Sequence, residues 1–180
     1  GRLVIADIGI PQTLLKDPAL ELVTSRWVRD VLPSRPLQAN KGTFGKVLVV
    51  AGSPSYIGAA YLACMGVLRA GAGYVTLVTP PRISPILAMK LTEATYPVLA
   101  ESTSSEFPPE TLDVIRQEAQ GCKALLLGCG IGQHPTTASL VNNLLLSSIS
   151  LGLPIVLDAD GLNILSNTPN WWKHLTSPTI

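Results

Sequence analysis

An unbroken aliphatic run at residues 47–51 limits the possible folds of this chain more than any other feature. Glycine-containing turns lie on both sides of the run, at residues 41–46 and 52–54. A short aliphatic run between glycines is typical of a strand that is buried on both faces. The small and apolar segment 58–70 predicts a thin helix packed closely on a sheet. A second strand is predicted at 75–79, which completes a strand–helix–strand unit.

The rest of the chain alternates between strand and helix patterns in the same way. Aliphatic runs at 124–127 and 155–158 predict two further strands, parallel to the first two in one sheet. Weaker patterns predict strands at 3–5 and 96–100. Helices are predicted from Asp17, as N-cap, to Pro33, and at 83–91, 110–119, 136–150 and 160–165. This alternation indicates an α/β domain with a mostly parallel sheet and helices on both faces.

Composition excludes several classes of protein. The formal net charge is +1 and no basic block is present, which argues against a nucleic-acid partner. No apolar run approaches the ~20 residues of a membrane-spanning helix. Cys64, Cys122 and Cys129 are odd in number and lack metal-ligand spacing, so they are interpreted as reduced thiols. A cytoplasmic protein with no membrane association is therefore expected.

Three sets of small or polar residues each follow a predicted strand. They are residues 52–60, the GxGxG segment 128–132, and residues 158–163, which contain two aspartates and an asparagine. Because the carboxyl ends of parallel strands meet at one edge of a sheet, the three sets should converge there. A helix that begins at such an edge offers free N–H groups to an anion. The pattern predicts a phosphate- or nucleotide-binding pocket, in which Gly130 leaves space for phosphates.

Each set also has a simpler explanation. Glycines after a strand more often form turns than bind ligands, by roughly two to one. Asp160 fits the N-cap of a short helix equally well, and Lys41 alone fits a solvated loop. Asp158 is harder to dismiss, because burying a carboxylate at the end of an aliphatic strand is costly unless something binds it. His134 and His174 have no partner at ligand spacing and are predicted to lie on the surface. The residues alone name no reaction.

Three stretches resemble a known family. They are NKGTFGKVLVVAGS with the following YIGAAYLACMGVLRAGAGYVTLVTP, then GCGIGQ, and VLDADGLNIL. Together they are similar to the ADP/ATP-dependent NAD(P)H-hydrate dehydratases, a ribokinase-like family, over about residues 32–180. The family usually has proline where this chain has Cys129. The opening GRLVIADIGIP resembles the last strand of the NAD(P)H-hydrate epimerase domain, which precedes the dehydratase in bifunctional members.

The resemblance implies a ribokinase-like three-layer αβα sandwich that is incomplete. Residues 1–16 would be the tail of an epimerase-type domain with its linker, and residues 17–180 the N-terminal part of a dehydratase domain. The family continues with a Thr-Pro-His-Pro-Gly-Glu segment and a Gly-Ser-Gly-Asp motif that carries the catalytic aspartate. The chain ends before both, so it is expected to be a fragment that is inactive alone and poorly soluble.

The resemblance also implies a reaction. In the family, ADP or ATP with Mg²⁺ activates the hydroxyl of NAD(P)H hydrate by phosphoryl transfer, and elimination restores NAD(P)H. This chain would hold mainly the hydrated dinucleotide, with no catalytic residue and no metal ligand of its own. A homo-oligomer is expected for the full-length protein. The substrate-binding residues implied are Lys41, Gly42, Ala59, Ala60, Gly130, Gly132, Asp158, Asp160 and Asn163.

Two other functions stay open at this point. One is a kinase of the same superfamily that acts on a small alcohol such as hydroxymethylpyrimidine or hydroxyethylthiazole. The other is a dinucleotide-binding or assembly module without catalysis, which the missing aspartate motif favours. A product assay separates the first from a dehydratase, and sequence beyond residue 180 separates the second.

Overall fold

The structure, a computed structural model, describes residues 4, 6, 8, 9, 11, 22–100, 106–147, 151–175 and 177–180. The chain divides into two compact units, Gly1–Leu37 and Gln38–Ile180. In the first unit, helix α1 spans Ser25–Val31, and the Thr24 hydroxyl accepts a hydrogen bond from the Trp27 N–H at 3.1 Å. This N-cap stands at the start of the helix because a threonine oxygen satisfies a free first-turn amide.

Helix α1 is shorter than the sequence predicts, since residues 22–24 precede it without helical structure. The predicted N-cap Asp17 lies outside the described residues. Of the predicted strand at 3–5, only Val4 is described, and it belongs to no strand. The predicted domain boundary after residue 16 also lies outside the described residues and stays a prediction.

Five parallel strands form one sheet in the second unit. Their order across the sheet is β3-β2-β1-β4-β5. Val49 of the central strand pairs with Leu77 on one side and with Leu126 on the other. The four strands predicted from aliphatic runs are therefore confirmed as parallel neighbours. The strand bounds are β1 Lys46–Val50, β2 Tyr74–Val78, β3 Ala94–Thr95, β4 Cys122–Leu127 and β5 Ile155–Leu157.

Further predicted elements differ from the observed ones, and the helix predicted at 136–150 ends at Leu145. The strand predicted at 96–100 is wrong: β3 consists of Ala94–Thr95, and residues 96–100 form no strand. Pro97 lies within that segment and has no N–H to donate to a neighbouring strand. The helix predicted at 83–91 is confined to Ser84–Ala88. The helices are α2 Ile57–Ala70, α3 Ser84–Ala88, α4 Thr111–Ala119, α5 Pro135–Leu145 and α6 Asp160–Ser166, and two 3-10 turns span Lys41–Phe44 and Trp171–Lys173.

Alternate residues of β1 face two separate cores. Val49 packs with Ala60 and Cys64 of α2 on one face of the sheet. Leu48 packs on the other face with residues of α4, α5 and α6, among them Ile115. Successive side chains of a strand point to opposite faces, so helices cover the sheet on both sides, as predicted. Ala60 and Cys64 of α2 are completely buried. Their small side chains allow the helix to pack closely on the sheet.

The sheet differs at β5, where burial is one-sided. Val156 is 44% exposed, whereas Ile155 and Leu157 are buried. Burial of β5 therefore differs from that of β1, in which Leu48 and Val49 are both completely buried. Residue Thr179 forms a parallel bridge with Ile155, and the Pro178 carbonyl accepts the Ile155 N–H at 2.8 Å.

Within the described residues, no helix is both long and apolar enough to cross a membrane.

Candidate functional site

Three loops meet at the carboxyl edge of the sheet. The Gly52 N–H, just after β1, donates to the Cys129 carbonyl at 2.9 Å. The Asp158 N–H, just after β5, donates to the Leu127 carbonyl at 3.1 Å. The first bond ties the segment at 52–60 to residues 128–132, called here the glycine loop. The second ties the segment at 158–163 to the last residue of β4, directly before that loop. We call the surface formed by the three segments the strand-end site.

The glycine loop is held against the protein at two of its glycines. Gly128 has φ 121°, and a Cβ there would collide with the Asp158 carbonyl. Gly130 has φ 66°, and its Cβ would lie 2.6 Å from the Ala59 Cβ and 2.7 Å from the Tyr56 Cβ. On the side of its Cβ position, the start of α2 fills the space beside Gly130. The expectation that Gly130 leaves space for phosphates stays a prediction. Gly132, at φ 74°, has nothing within 4 Å of its Cβ position and remains open.

Asp160 anchors the glycine loop. Its Oδ2 accepts the Gly132 N–H at 3.0 Å, and its Oδ1 accepts from Gln133 Nε2 at 3.2 Å and from Asn163 Nδ2 at 3.3 Å. Asp160 is the first residue of α6, and Ala159 is its N-cap. The interpretation of Asp160 as a plain N-cap is thus wrong, since its carboxylate binds the loop rather than the helix end. The bonds from Gly132 and Gln133 fix the loop relative to α6, and the bond from Asn163 joins two side chains within that helix.

Asp158 presents a carboxylate at the end of β5. The residue is exposed, so the predicted cost of burying this charge does not arise. Its Oδ2 accepts a hydrogen bond from Cys129 Sγ at 3.6 Å. Burial, and then the negative charge and hydrogen bond of Asp158, raise the pKa of the Cys129 thiol. The thiol is consequently a neutral donor to a carboxylate that is also open to solvent.

The first turn of α2 forms the third wall of the strand-end site. Tyr56 is the N-cap of α2, and its side chain makes no capping hydrogen bond. The Tyr56 side chain therefore leaves the N–H groups of the first helical turn uncapped. Ala59 is half-buried against Gly130. Ala60 is completely buried, and its Cβ lies 2.9 Å from where a Gly52 Cβ would stand. The Ala60 side chain therefore serves packing and is not at the surface of the site.

Lys41 and Gly42 lie elsewhere. They belong to the 3-10 turn before β1, at the amino edge of the sheet. Lys41 Nζ lies 4.9 Å from the centroid of the Tyr74 ring. The Gly42 N–H donates to Asn40 Oδ1 at 2.9 Å. The structure does not bring these two residues to the strand-end site, although the family resemblance grouped them with it.

Sequence reasoning missed several residues that shape the site. Tyr56 is 57% exposed beside Gly130. It lies within the predicted segment 52–60 but was not singled out there. Gln133 follows the last glycine of the GCGIGQ stretch and donates to Asp160. A Cβ on Gly161 would lie 3.2 Å from the Leu127 carbonyl oxygen. The glycine after the two aspartates was therefore a usable signal for close backbone approach.

The chemistry of the strand-end site suits binding. Asp158 and Asn163 offer exposed polar side chains, and Gly132 offers an open backbone. Within the described residues, no group of three or more histidines, cysteines and acidic residues is arranged to hold a metal ion. His134 and His174 are both exposed, as predicted. The arrangement can accept hydrogen bonds from hydroxyl or amide groups and admit a ligand close to the glycine loop.

Comparison with known proteins relates this chain to a family of curated enzymes. The family model described as NAD(P)H-hydrate dehydratase matches residues 47–180. The bifunctional NAD(P)H-hydrate repair enzyme Nnr of Moorella thermoacetica is 40% identical over 168 residues, which cover 92% of this chain and 31% of that protein. The enzyme of the same name from Thermofilum pendens is 32% identical over 180 residues, or 100% of this chain and 33% of that protein. The chain spans about a third of the length of these relatives.

Solved structures agree with this relationship. The ADP/ATP-dependent NAD(P)H-hydrate dehydratase from Bacillus subtilis, co-crystallised with ATP/Mg²⁺, has a TM-score of 0.58 and 30% identity, over 77% of this chain and 46% of that one. A ribokinase-like protein from Enterococcus faecalis has a TM-score of 0.66 at 19% identity, over 80% of this chain and 47% of that one. The second likeness concerns the fold alone, and it confirms the ribokinase-like α/β fold. With its family model matched over residues 47–180, the chain belongs to the NAD(P)H-hydrate dehydratase family.

Proposed function

We propose that this chain supplies the substrate-binding part of an enzyme that dehydrates NAD(P)H hydrate to NAD(P)H with ADP or ATP. One observation carries the proposal: the glycine loop, anchored by Asp160, meets the start of α2 at the carboxyl edge of a parallel sheet. Ligands of open α/β sheets bind at this edge. Membership of the dehydratase family, and the repair function printed in the names of the relatives, support the choice of substrate.

The proposed roles follow from exposure and hydrogen bonding. Asp158 accepts a hydrogen bond from a hydroxyl or carboxamide of the dinucleotide, because its carboxylate is exposed. Gly132 admits the backbone or phosphates of the ligand, because the space beside it is open. Asp160 and Asn163 hold the loop in position, while Ala59 and Gly130 pack it on α2. Lys41 and Gly42 receive no role in this site, since they belong to the amino edge.

The nucleotide and Mg²⁺ are assigned no residue in the strand-end site. Mg²⁺ is usually bound by one or two carboxylates together with phosphate oxygens and water, and no cluster of metal-ligating side chains occurs in the described part of the chain. When bound, ADP or ATP supplies the phosphoryl group that turns the hydroxyl of the hydrate into a leaving group. The part of this chain's residues is to bind and orient the dinucleotide.

Calorimetric titration with NADH hydrate tests the proposal, followed by addition of ADP and Mg²⁺ while the absorbance of reduced nicotinamide is recorded. Asp158→Ala should weaken binding of the hydrate by about tenfold, the effect of losing one hydrogen bond to a charged group. Lys41→Ala is the matched control, because it removes a charge at the opposite edge and should leave affinity unchanged. Absence of hydrate binding, or equal losses in both variants, would contradict the proposal.

In the full-length protein, binding of the hydrate without turnover would favour a dinucleotide-binding module over an enzyme, and phosphorylation of a small alcohol would favour the kinase alternative. The homo-oligomer and the cytoplasmic location stay predictions. Sedimentation velocity of the full-length protein tests the first, and fractionation of cells tests the second.

A further inference from the structure

A second concave surface lies beyond the carboxyl end of β2. It is a cavity of about 340 Å³, within the range of ~300–1,000 Å³ that small-molecule sites occupy. Prolines and a tyrosine form much of its wall, and Thr79 and Ser84 contribute hydroxyl groups. We call it the β2 pocket and define it by Thr79, Pro81, Ser84, Pro85, Tyr96 and Pro97.

Thr79 provides a hydroxyl with nothing to bond to. The residue is only 4% exposed, and its Oγ1 has no hydrogen-bond partner among the described residues. Buried polar groups are nearly always bonded, and an unbonded one calls for an explanation such as a missing ligand. Thr76, within β2, shows the usual arrangement, because its Oγ1 lies 2.7 Å from Thr95 Oγ1.

The wall of the β2 pocket suits an uncharged flat ring. No charged side chain is found among the described residues that line it, so a phosphate would find no counter-charge there. Tyr96 is fixed by its hydroxyl, which donates to the Leu91 carbonyl at 3.1 Å. Burial, and then the charge of Cys64, raise the pKa of Tyr96 to about 12, so its ring stays neutral. Proline and tyrosine walls pack on the faces of an aromatic ring, while a hydroxyl bonds to its polar edge.

The β2 pocket adjoins the strand-end site through Gly52. A Cβ on Gly52 would lie 3.1 Å from Thr79 Oγ1, and the Gly52 N–H bonds to the Cys129 carbonyl of the glycine loop. One residue thus separates the unbonded hydroxyl from the loop proposed to receive the dinucleotide. An extended ligand can reach both places along the same edge of the sheet.

We propose that the β2 pocket binds the uncharged heteroaromatic ring of a nucleotide, with Thr79 hydrogen-bonded to the polar edge of that ring. The inference rests on the proposed function, because the strand-end site then holds the sugar and phosphate portion of the same ligand. Adenine has the required chemistry, whereas the nicotinamide of nicotinamide mononucleotide is a pyridinium cation and serves as the contrasting ring. They are distinguished by titrating the protein with adenosine monophosphate in one arm and nicotinamide mononucleotide in another.

Calorimetry on Thr79→Val is the main experiment. The variant keeps the shape of the side chain and removes the hydroxyl. Adenosine monophosphate should therefore bind about tenfold more weakly. Ribose 5-phosphate lacks the ring and should bind as it does to the unchanged protein. The thermal midpoint of Thr79→Val should not fall, because the hydroxyl has no partner to lose. Ser84→Tyr should fill the pocket and remove binding of the same mononucleotide.

Thr76→Val is the matched control, since it removes a buried hydroxyl that lies in β2, outside the pocket. It should lower the thermal midpoint and leave mononucleotide affinity unchanged. The inference is overturned if the unchanged protein does not bind adenosine monophosphate. It is equally overturned if Thr79→Val and Ser84→Tyr leave both affinities unchanged, or if Thr76→Val and Thr79→Val weaken binding alike.

The two proposals fail in different ways. Loss of NADH hydrate binding in Asp158→Ala with no effect of Thr79→Val removes the ring site and keeps the proposed function. Failure of the unchanged protein to bind NADH hydrate removes the proposed function as well.

Discussion

The amino and carboxyl edges of the parallel sheet both carry charged residues, but these residues make different contacts. At the amino edge, Lys46 Nζ lies 2.7 Å from Glu118 Oε2, and Lys41 sits over the Tyr74 ring. At the carboxyl edge, Asp158 is exposed to solvent, and Asp160 binds a loop. Lysines at one edge thus have partners within the protein, whereas a carboxylate at the other remains available to a ligand.

Glycines do not distinguish the two edges. Gly73, at the amino edge, has no room for a Cβ because the Lys41 carbonyl occupies that position. Gly128, at the carboxyl edge, is confined in the same way by the Asp158 carbonyl. Both glycines permit close backbone approach. What marks the carboxyl edge as a site is the exposed carboxylate together with the open side of Gly132.

The largest expected effect comes from filling these two positions. Gly128→Ala and Gly73→Ala should each lower the free energy of unfolding by more than about 3 kcal/mol, because the new Cβ meets backbone atoms that cannot rotate away. Gly66→Ala is the control: it lies in α2 with nothing within 4 Å of its Cβ position, and it should raise stability by about 0.5–1 kcal/mol. Urea denaturation measures all three. A small effect at either confined glycine would break the parallel between the edges.

Removing the anchor of the glycine loop should have the next largest effect. Asp160→Ala deletes three hydrogen bonds, and we expect a loss of about 2 kcal/mol in stability, typical of bonds to a charged acceptor. Binding of NADH hydrate should weaken as well, because the loop is no longer fixed. Asp113→Ala is the matched control, since Asp113 also stands in the first turn of a helix and forms only a 3.8 Å pair with Arg116. Equal losses in both variants would show that Asp160 acts only on its helix.

The two ends of β4 allow the charges to be compared through thiols. Burial raises the pKa of Cys122 at the amino edge, and there Lys46 lowers it while Glu118 raises it. At the carboxyl edge, burial and then the charge and hydrogen bond of Asp158 raise the pKa of Cys129. Asp158→Asn should lower the pKa of Cys129, so the thiolate forms at lower pH and alkylation at mildly alkaline pH accelerates by up to about tenfold. Iodoacetamide labelling followed by mass spectrometry measures each thiol, and the Cys122 rate should not change.

The smallest expected effect concerns the ion pair at the amino edge. Lys46→Met should lower stability by about 1 kcal/mol or less, since partly exposed pairs contribute little. A double-mutant cycle with Glu118→Gln isolates the coupling between the two side chains. Affinity for NADH hydrate should be the same in all three variants. A loss of affinity in Lys46→Met would assign ligand binding to the amino edge and reverse the comparison.

Local signals predicted most of the architecture. Four of the five strands follow from aliphatic runs bounded by glycine or proline, because such runs gain free energy by burial on both sides. The same signals failed at 96–100, where Pro97 prevents the pairing that the apolar residues favour. Residue type predicts a strand well when burial and backbone hydrogen bonding agree.

The sequence by itself determined the α/β class, the parallel arrangement of the four main strands in one sheet and the family. Only the tertiary structure decided which polar residues share a site. Asp160 meets Gly132 across 28 residues, and Lys46 meets Glu118 across 72. Strand and helix formation depends on neighbours a few residues apart, which the sequence displays directly. A site depends on which ends of which strands lie side by side, and this separated Lys41 and Gly42 from the aspartates that the family resemblance had placed with them.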